Sequence, residues 1–235
     1  MTGRGPFPAH PARTAWAALA AALAFTLVAI PVARRPTAPA VLAGPDHAWL
    51  RLMLAHRSVP LDAAARAFSL VFAGPVYVVI CLTAIVVLFA AKRYLAAAYV
   101  TAVILVATRV GGVLKIVVGR PRPPVPDRLF PVPEAAFPSG HSVDAAALLV
   151  ALAVVVTAAR PARWHIATVA AVVVTAAVMA SRTYAGVHWL SDTVGGALLG
   201  AAWAFALWSA AGWWARRRGW PVRPESDVDA GRGRS

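Results

Sequence analysis

The chain has 235 residues, of which 60% are hydrophobic and only 14% charged, a balance far from that of soluble domains. Its 23 Lys and Arg against 9 Asp and Glu give a formal charge of +14. These cations are scattered over loops and tails, which argues against a nucleic-acid-binding face and for contact with anionic membrane lipids. A single cysteine, Cys81, sits in an apolar run and excludes both an intramolecular disulfide and a cysteine-rich metal site.

A helix needs about 20 mainly apolar residues to cross the roughly 30 Å hydrocarbon core of a bilayer. Six runs meet that condition, at 14–32, 69–91, 94–114, 142–159, 165–181 and 189–214. Alternation of period two is absent and backbone groups in lipid must be satisfied internally, so the expected fold is all-α, a polytopic bundle of six transmembrane helices. The first run has the short basic lead of a secretory signal, but its length and the even count it completes favour a retained helix. Residues 33–68 make a connection that is long for a bundle. Within it "HAWLRLMLAH" (47–56) reads either as a short helix in the interface or as a structured loop. In the sixth run "GGALLG" (195–200) spaces small residues four apart, a device for close helix approach that here suits packing inside the bundle.

Lys92 and Arg93, then Arg160 and Arg163, then Arg216, Arg217 and Arg218 mark one side as cytoplasmic. The domain plan is a cytoplasmic N-terminal segment (1–13), the six-helix domain (14–214) and a disordered basic cytoplasmic tail (215–235). Both termini are then inside. The outer side also carries cations: Arg34, Arg35, Arg51, Arg57 and Arg66 in the first loop, and Lys115, Arg120, Arg122 and Arg128 in the second. Those of the second loop need a functional reason to be there.

Three polar stretches fall together on that outer side: "KIVVGRPRPP" (115–124), "PSGH" (138–141) and "SRTYAGVHWLSD" (181–192). Charges at membrane level are costly, so function is the default reading. Lys115, Arg122 and Arg182 bring three cations together, and the arginine fork suits phosphate oxygens. Pro138 and Ser139 read as the start of a helix whose free N–H groups, with Gly140 allowing close approach, form an anion cradle beside His141. His188 and Asp192, four apart, are expected on one face of a helix starting near Val187. The carboxylate would bond one ring nitrogen and leave the other free as nucleophile or base. Metal ligation is the weaker rival, because the neighbouring residues are mostly cationic. Arg109 and Asp144 lie within the third and fourth helices and are expected to pair, with helix-dipole stabilisation as the simpler reading of Asp144.

Taken in order, Lys115 to Arg122-Pro123, Pro138-Ser139-Gly140-His141, and Ser181-Arg182 to His188 to Asp192 resemble the signature of the type 2 phosphatidic acid phosphatase superfamily, K-x6-RP, PSGH and SR-x5-H-x3-D. The resemblance covers about residues 69–214. It implies an integral membrane lipid phosphatase with the active site at the extracytoplasmic face and no cofactor or metal. His188 would attack phosphorus to form a phosphohistidine, Asp192 would orient it, and His141 would protonate the leaving oxygen. Lys115, Arg122, Arg182, the Ser139 hydroxyl and the Gly140 amide would hold the phosphoryl oxygens. The substrate would be a lipid phosphate: phosphatidic acid, phosphatidylglycerol phosphate, or an undecaprenyl or other polyprenyl diphosphate recycled as a carrier. Membrane lipids are the expected partners, with no nucleic acid and no obligate protein. Vanadate-dependent haloperoxidases share the anion cradle but resemble soluble helical proteins, and a non-catalytic lipid-phosphate binder or transporter would not need the His188–Asp192 pair.

Overall fold

The structure, a computed structural model, describes residues 12–35, 37, 41–72 and 74–218. The expectations for 1–11 and 219–235 lie outside the described residues. Eight α-helices follow in chain order: α1 (Ala12–Arg34), α2 (Ala43–Ala55), α3 (Val59–Val71), α4 (Gly74–Ala90), α5 (Tyr94–Val118), α6 (Gly140–Ala159), α7 (Trp164–Tyr184) and α8 (Leu190–Arg217). Among the described residues there is no strand, as an apolar chain that must satisfy its backbone in lipid requires.

Among the described residues five helices, α1 and α5 to α8, are long and apolar enough to cross a membrane, and the bent pair α3 and α4 meets the same condition when taken together. The protein is therefore a multi-pass helical membrane protein. The run expected at 69–91 is not one straight helix. It begins only at Gly74, which has a φ of +48° and is followed by Pro75, so the chain turns by 52° between α3 and α4. The stretch 33–68 is likewise no simple loop, since α2 and α3 occupy most of it. "HAWLRLMLAH" is helical, as one of its two readings had it, and α2 buries Asp46 and Leu50. At the other end α8 runs on to Arg217, three residues beyond the boundary placed at 214.

α6 and α8 form the centre of the bundle and cross closely because α8 offers glycines to α6. A Cβ on Gly196 would lie 2.6 Å from the Ser139 carbonyl oxygen, and one on Gly200 would lie 2.5 Å from that of Val143. The small-residue spacing thus serves packing within the bundle, as expected. α1 lies along α8, with Ser209 Oγ donating to Thr14 Oγ1 at 2.8 Å, and its Phe25 stacks on Phe137 of the loop before α6 with ring centroids 6.1 Å apart. The apolar core runs from Tyr77 and Cys81 on α4 through Val100 and Val103 on α5 to Leu148 and Val155 on α6 and Trp208 on α8. This antiparallel arrangement puts the C-terminal ends of α5 and α7 beside the N-terminal ends of α6 and α8, and all three polar stretches meet there.

Candidate active site

Lys115 stands in the last turn of α5, which Gly119 ends in the left-handed conformation (φ +59°). Its Nζ donates to the Ala135 carbonyl at 2.9 Å. Arg122 reaches over the same loop, its Nε donating to Glu134 O at 2.7 Å and its Nη1 to Val187 O at 2.5 Å. Both cations thus rest on backbone carbonyls that an anion could replace. Arg182, in the last turn of α7, is buried, with its guanidinium 5.2 Å from the Phe130 ring centroid and its Nε without a hydrogen bond. A buried guanidinium with an unmet donor is poised for an oxyanion.

Ser139 is the N-cap of α6, as expected, yet its hydroxyl caps nothing. It accepts from Ser142 Oγ at 3.2 Å, which leaves its own proton available to a ligand. Its amide donates to Asp192 O at 3.0 Å and so ties the start of α6 to the start of α8. A Cβ at Gly140 would meet only Lys115 Cε, at 3.8 Å, so the helix N-terminus and the ammonium group flank one another. The helix N–H groups and the nearby cations favour negative charge together.

His188 is not on the helix where it was expected. α8 starts at Leu190 with Trp189 as N-cap, and His188 lies before it in the turn that Gly186 makes with a φ of +68°. Gly186 is required twice over: its φ is positive, and a side chain there would run into the Asp127 carbonyl and Arg57. His188 Nε2 lies 3.0 Å from Arg122 Nη1. A guanidinium only donates, so Nε2 accepts and the ring proton sits on Nδ1, which faces Asp192 Oδ2 at 3.5 Å. That separation is long for a hydrogen bond, and Nδ1 has no other partner. Burial, then the charges of Arg122, Arg182 and Lys115, hold the His188 imidazole well below its ordinary pKa, so it is neutral at neutral pH. His141 Nε2 lies 3.1 Å from the Ser69 carbonyl of α3 and must donate to it, which leaves Nδ1 free.

The expected Arg109–Asp144 pair does not form. Arg109 faces outward, whereas Thr108 Oγ1 donates to Asp144 Oδ1 at 2.7 Å. Residues 108 and 109 point about 100° apart on an α-helix, so only one of them can turn toward α6.

Sequence reasoning missed a buried network beneath the site. Arg120 Nη1 donates to Asp192 Oδ1 at 2.5 Å and Nη2 to Asp46 Oδ2 at 2.8 Å. Ser191 lies between them, receiving Arg120 Nη1 at 2.7 Å and donating its hydroxyl to Asp46 Oδ2 at 2.7 Å. The doubled arginine of "GRPRP" and the lone acid of "AGPDHAW" were the only traces of it.

Apolar helices that gather three cations, the start of α6 and a neutral, carboxylate-facing histidine at one end of the bundle define a class, helical membrane proteins with a cationic site suited to an oxyanion. The PAP2 superfamily profile matches residues 91–216, and the chain belongs to that family. It is a membrane phosphatase, a hydrolase of phosphoric esters. Two solved structures are similar to it. One is a transmembrane PAP2-type phosphatidylglycerolphosphate phosphatase from Bacillus subtilis, 22% identical, with a TM-score of 0.73 over 82% of this chain and 94% of that one. The other is LpxE from Aquifex aeolicus, 25% identical, with a TM-score of 0.58 over 69% of this chain and 93% of that one. No curated protein matches the sequence significantly.

Proposed function

We propose that the protein removes phosphate from a lipid phosphomonoester or diphosphate through a phosphohistidine on His188. The observation that carries this reading is the setting of the His188 ring: Arg122 lies against Nε2 and Asp192 faces Nδ1, which assigns the lone pair to the nitrogen directed at the cations. When phosphate binds, Arg122 and Lys115 exchange their carbonyl partners for phosphoryl oxygens, joined by Arg182, the Ser139 hydroxyl and the Gly140 amide. Nε2 is then free to attack phosphorus as the bond to the lipid oxygen breaks. Developing charge falls on fixed cations and helix N–H groups, the largest source of stabilisation for such a transfer. His141, anchored through Nε2 to Ser69, presents Nδ1 to the leaving oxygen; it takes up a second proton with the phosphate dianion and, as the imidazolium, passes that proton from Nδ1 to the leaving oxygen, and the neutral ring then accepts a proton from the attacking water. Water then attacks the phosphohistidine and releases phosphate, restoring the imidazole.

The donor set suits cations of the protein rather than a metal. Among the described residues no group of three or more His, Cys, Asp or Glu could hold one. The substrate class is a lipid phosphate of the phosphatidic acid kind, phosphatidylglycerol phosphate, or a polyprenyl diphosphate such as the undecaprenyl carrier. Similarity to a phosphatidylglycerolphosphate phosphatase puts that lipid first in any panel. The basic turns Lys92-Arg93 and 160–163 lie at the end of the bundle away from the site, and by the positive-inside rule this supports a site outside and both termini in the cytoplasm.

The test is phosphate release by the purified protein from a panel of lipid phosphates and diphosphates in detergent, with and without a chelator, together with trapping of an acid-labile phosphoenzyme. Release that survives chelation, with a trapped phosphohistidine, is the expected result. No release from any lipid, or complete loss with chelator, overturns the reading.

A further inference from the structure

Asp46 lies in the first turn of α2, outside the residues that the family profile matches, yet it is as deeply buried as Arg120, each 2% exposed. We infer that Asp46 is a positioning residue for phosphoryl transfer: through Arg120 it fixes the orientation and charge of Asp192, and through Asp192 those of His188. The inference rests on His188 being the nucleophile.

Each carboxylate takes a different terminal nitrogen of one guanidinium. Asp46 also accepts the Ser191 backbone N–H through Oδ1 at 2.8 Å, and so fills the N-terminus of α8 where that helix leaves the site. Asp192 spends Oδ1 on Arg120, and its Oδ2 takes the Trp189 N–H at 2.9 Å while facing His188. Two carboxylates around one guanidinium leave the cluster one negative charge in excess. That excess favours the Nδ1 proton of His188 and the positive imidazolium character of a phosphohistidine. With Asp46 neutral, Arg120 would be balanced by Asp192 alone, and the charge facing His188 would be largely cancelled. Trp189, next to His188, is held in the same assembly. Its Nε1 donates to Pro121 O at 3.0 Å, and the Arg120 guanidinium lies 5.7 Å from its ring. An apolar contact would join α2 to α8 without burying three charges, because well-packed apolar replacements of buried ion networks are often neutral or stabilising. The network therefore has a use beyond adhesion.

The experiment compares Asp46→Asn, Ser191→Ala, Asp192→Asn and the double variant Asp46→Asn/Asp192→Asn in detergent. Phosphate release is measured alongside thermal unfolding and 15N NMR of histidine-labelled protein. Asp46→Asn should lower kcat by roughly ten- to a hundredfold, the size of loss that follows removal of the group orienting a metal-bound histidine, with KM unchanged. It should also shift the His188 ring proton away from Nδ1 and add no further loss to Asp192→Asn. Ser191→Ala, which keeps both carboxylates, should show a smaller loss of the same kind and covers the case in which Asp46→Asn does not fold. Unchanged kcat in Asp46→Asn or in Ser191→Ala, or losses that multiply in the double variant, overturns the inference. If the wild-type protein releases phosphate from no lipid, the functional reading fails. The NMR tautomer shift then still decides whether Asp46 governs His188, and its absence overturns the coupling.

Discussion

The ends of α5 to α8 and the pair α2–α3 meet at the same site but contribute different things. The first region supplies every side chain that the proposed mechanism sets at the phosphoryl group, Lys115, Arg122, Ser139, His141, Arg182 and His188, with Asp192 behind His188. The second supplies supports, namely Asp46 under Arg120, the Ser69 carbonyl under His141, and Asp62 and the Ser58 N–H, which clasp the Tyr184 hydroxyl of α7 as it donates to Asp62 Oδ1 at 2.8 Å and accepts the Ser58 N–H at 3.0 Å. Groups that touch a substrate must have particular chemistry at particular spacings, whereas supports need only arrive with the right atom. This difference predicts steep losses in the first region and graded ones in the second.

The largest effect is expected at His188, the proposed nucleophile. His188→Ala should reduce lipid phosphate release by at least about 1000-fold and abolish phosphoenzyme trapping, as removal of a covalent catalyst does elsewhere. Retained turnover would break the division between the two regions at its root.

Next comes the helix crossing on which the site is built. In Gly200→Val the new side chain would press on the Val143 carbonyl and the Ala147 amide, at 2.5 and 2.7 Å from the Cβ, both of them backbone atoms that cannot swing aside. Overpacking of this kind costs about 1–3 kcal/mol, so unfolding in detergent should occur at lower temperature and activity should fall with the displaced helix ends. An unchanged Tm would mean that α6 and α8 separate easily.

A third effect appears in the pH profile. His188 is held below its ordinary pKa, so as pH falls it stays neutral through the usual histidine range. The acidic limb of kcat/KM should then lie below about pH 6.5. Arg122→Gln removes one of the repelling cations, raises the imidazole pKa, and should move that limb toward neutral pH, while the substrate's own titration is common to both proteins. A limb that stays in place would detach His188 from the cation cluster.

Tyr184→Phe tests the support region more gently. It removes the bonds to Asp62 and Ser58 but no group near phosphorus, so kcat should hold while Tm falls slightly.

The division also explains what could be read from the sequence. Five helices were legible from apolar length, and the gathering of Lys115, Arg122, Ser139, Gly140, His141, Arg182, His188 and Asp192 at one end of the bundle from residue type and spacing, because polar groups in an apolar chain have few places to go. The break at Gly74 was missed because α3 and α4 are both apolar enough to join in one run. Ser69 acts through its backbone carbonyl, and that leaves no mark in a sequence. Asp46 and Arg120 are 74 positions apart, so their pairing depends on how α2 folds back over the bundle, which composition does not encode. His188 was placed on a helix by the i to i+4 rule, but Asp192 meets it instead as an N-terminal helix residue facing the turn that precedes the helix.

Arg109 gives the smallest expected effect and the sharpest check on that reasoning. It lies in the first region, two turns from Lys115 on the same helix, yet it faces outward and makes no ion pair with Asp144. About six residues of helix at 1.5 Å each separate it from Lys115, within reach of the interface for a long side chain that keeps its stem in lipid and its charge in water. Arg109→Gln should therefore change phosphate release by less than about twofold, as substitutions away from packed or bonded features do. Its effect should simply add to that of Asp144→Asn, whose own loss comes from Thr108. A coupling above about 0.5 kcal/mol in that cycle would show that the two charges meet in the membrane after all, and would extend the site one turn deeper into the bundle.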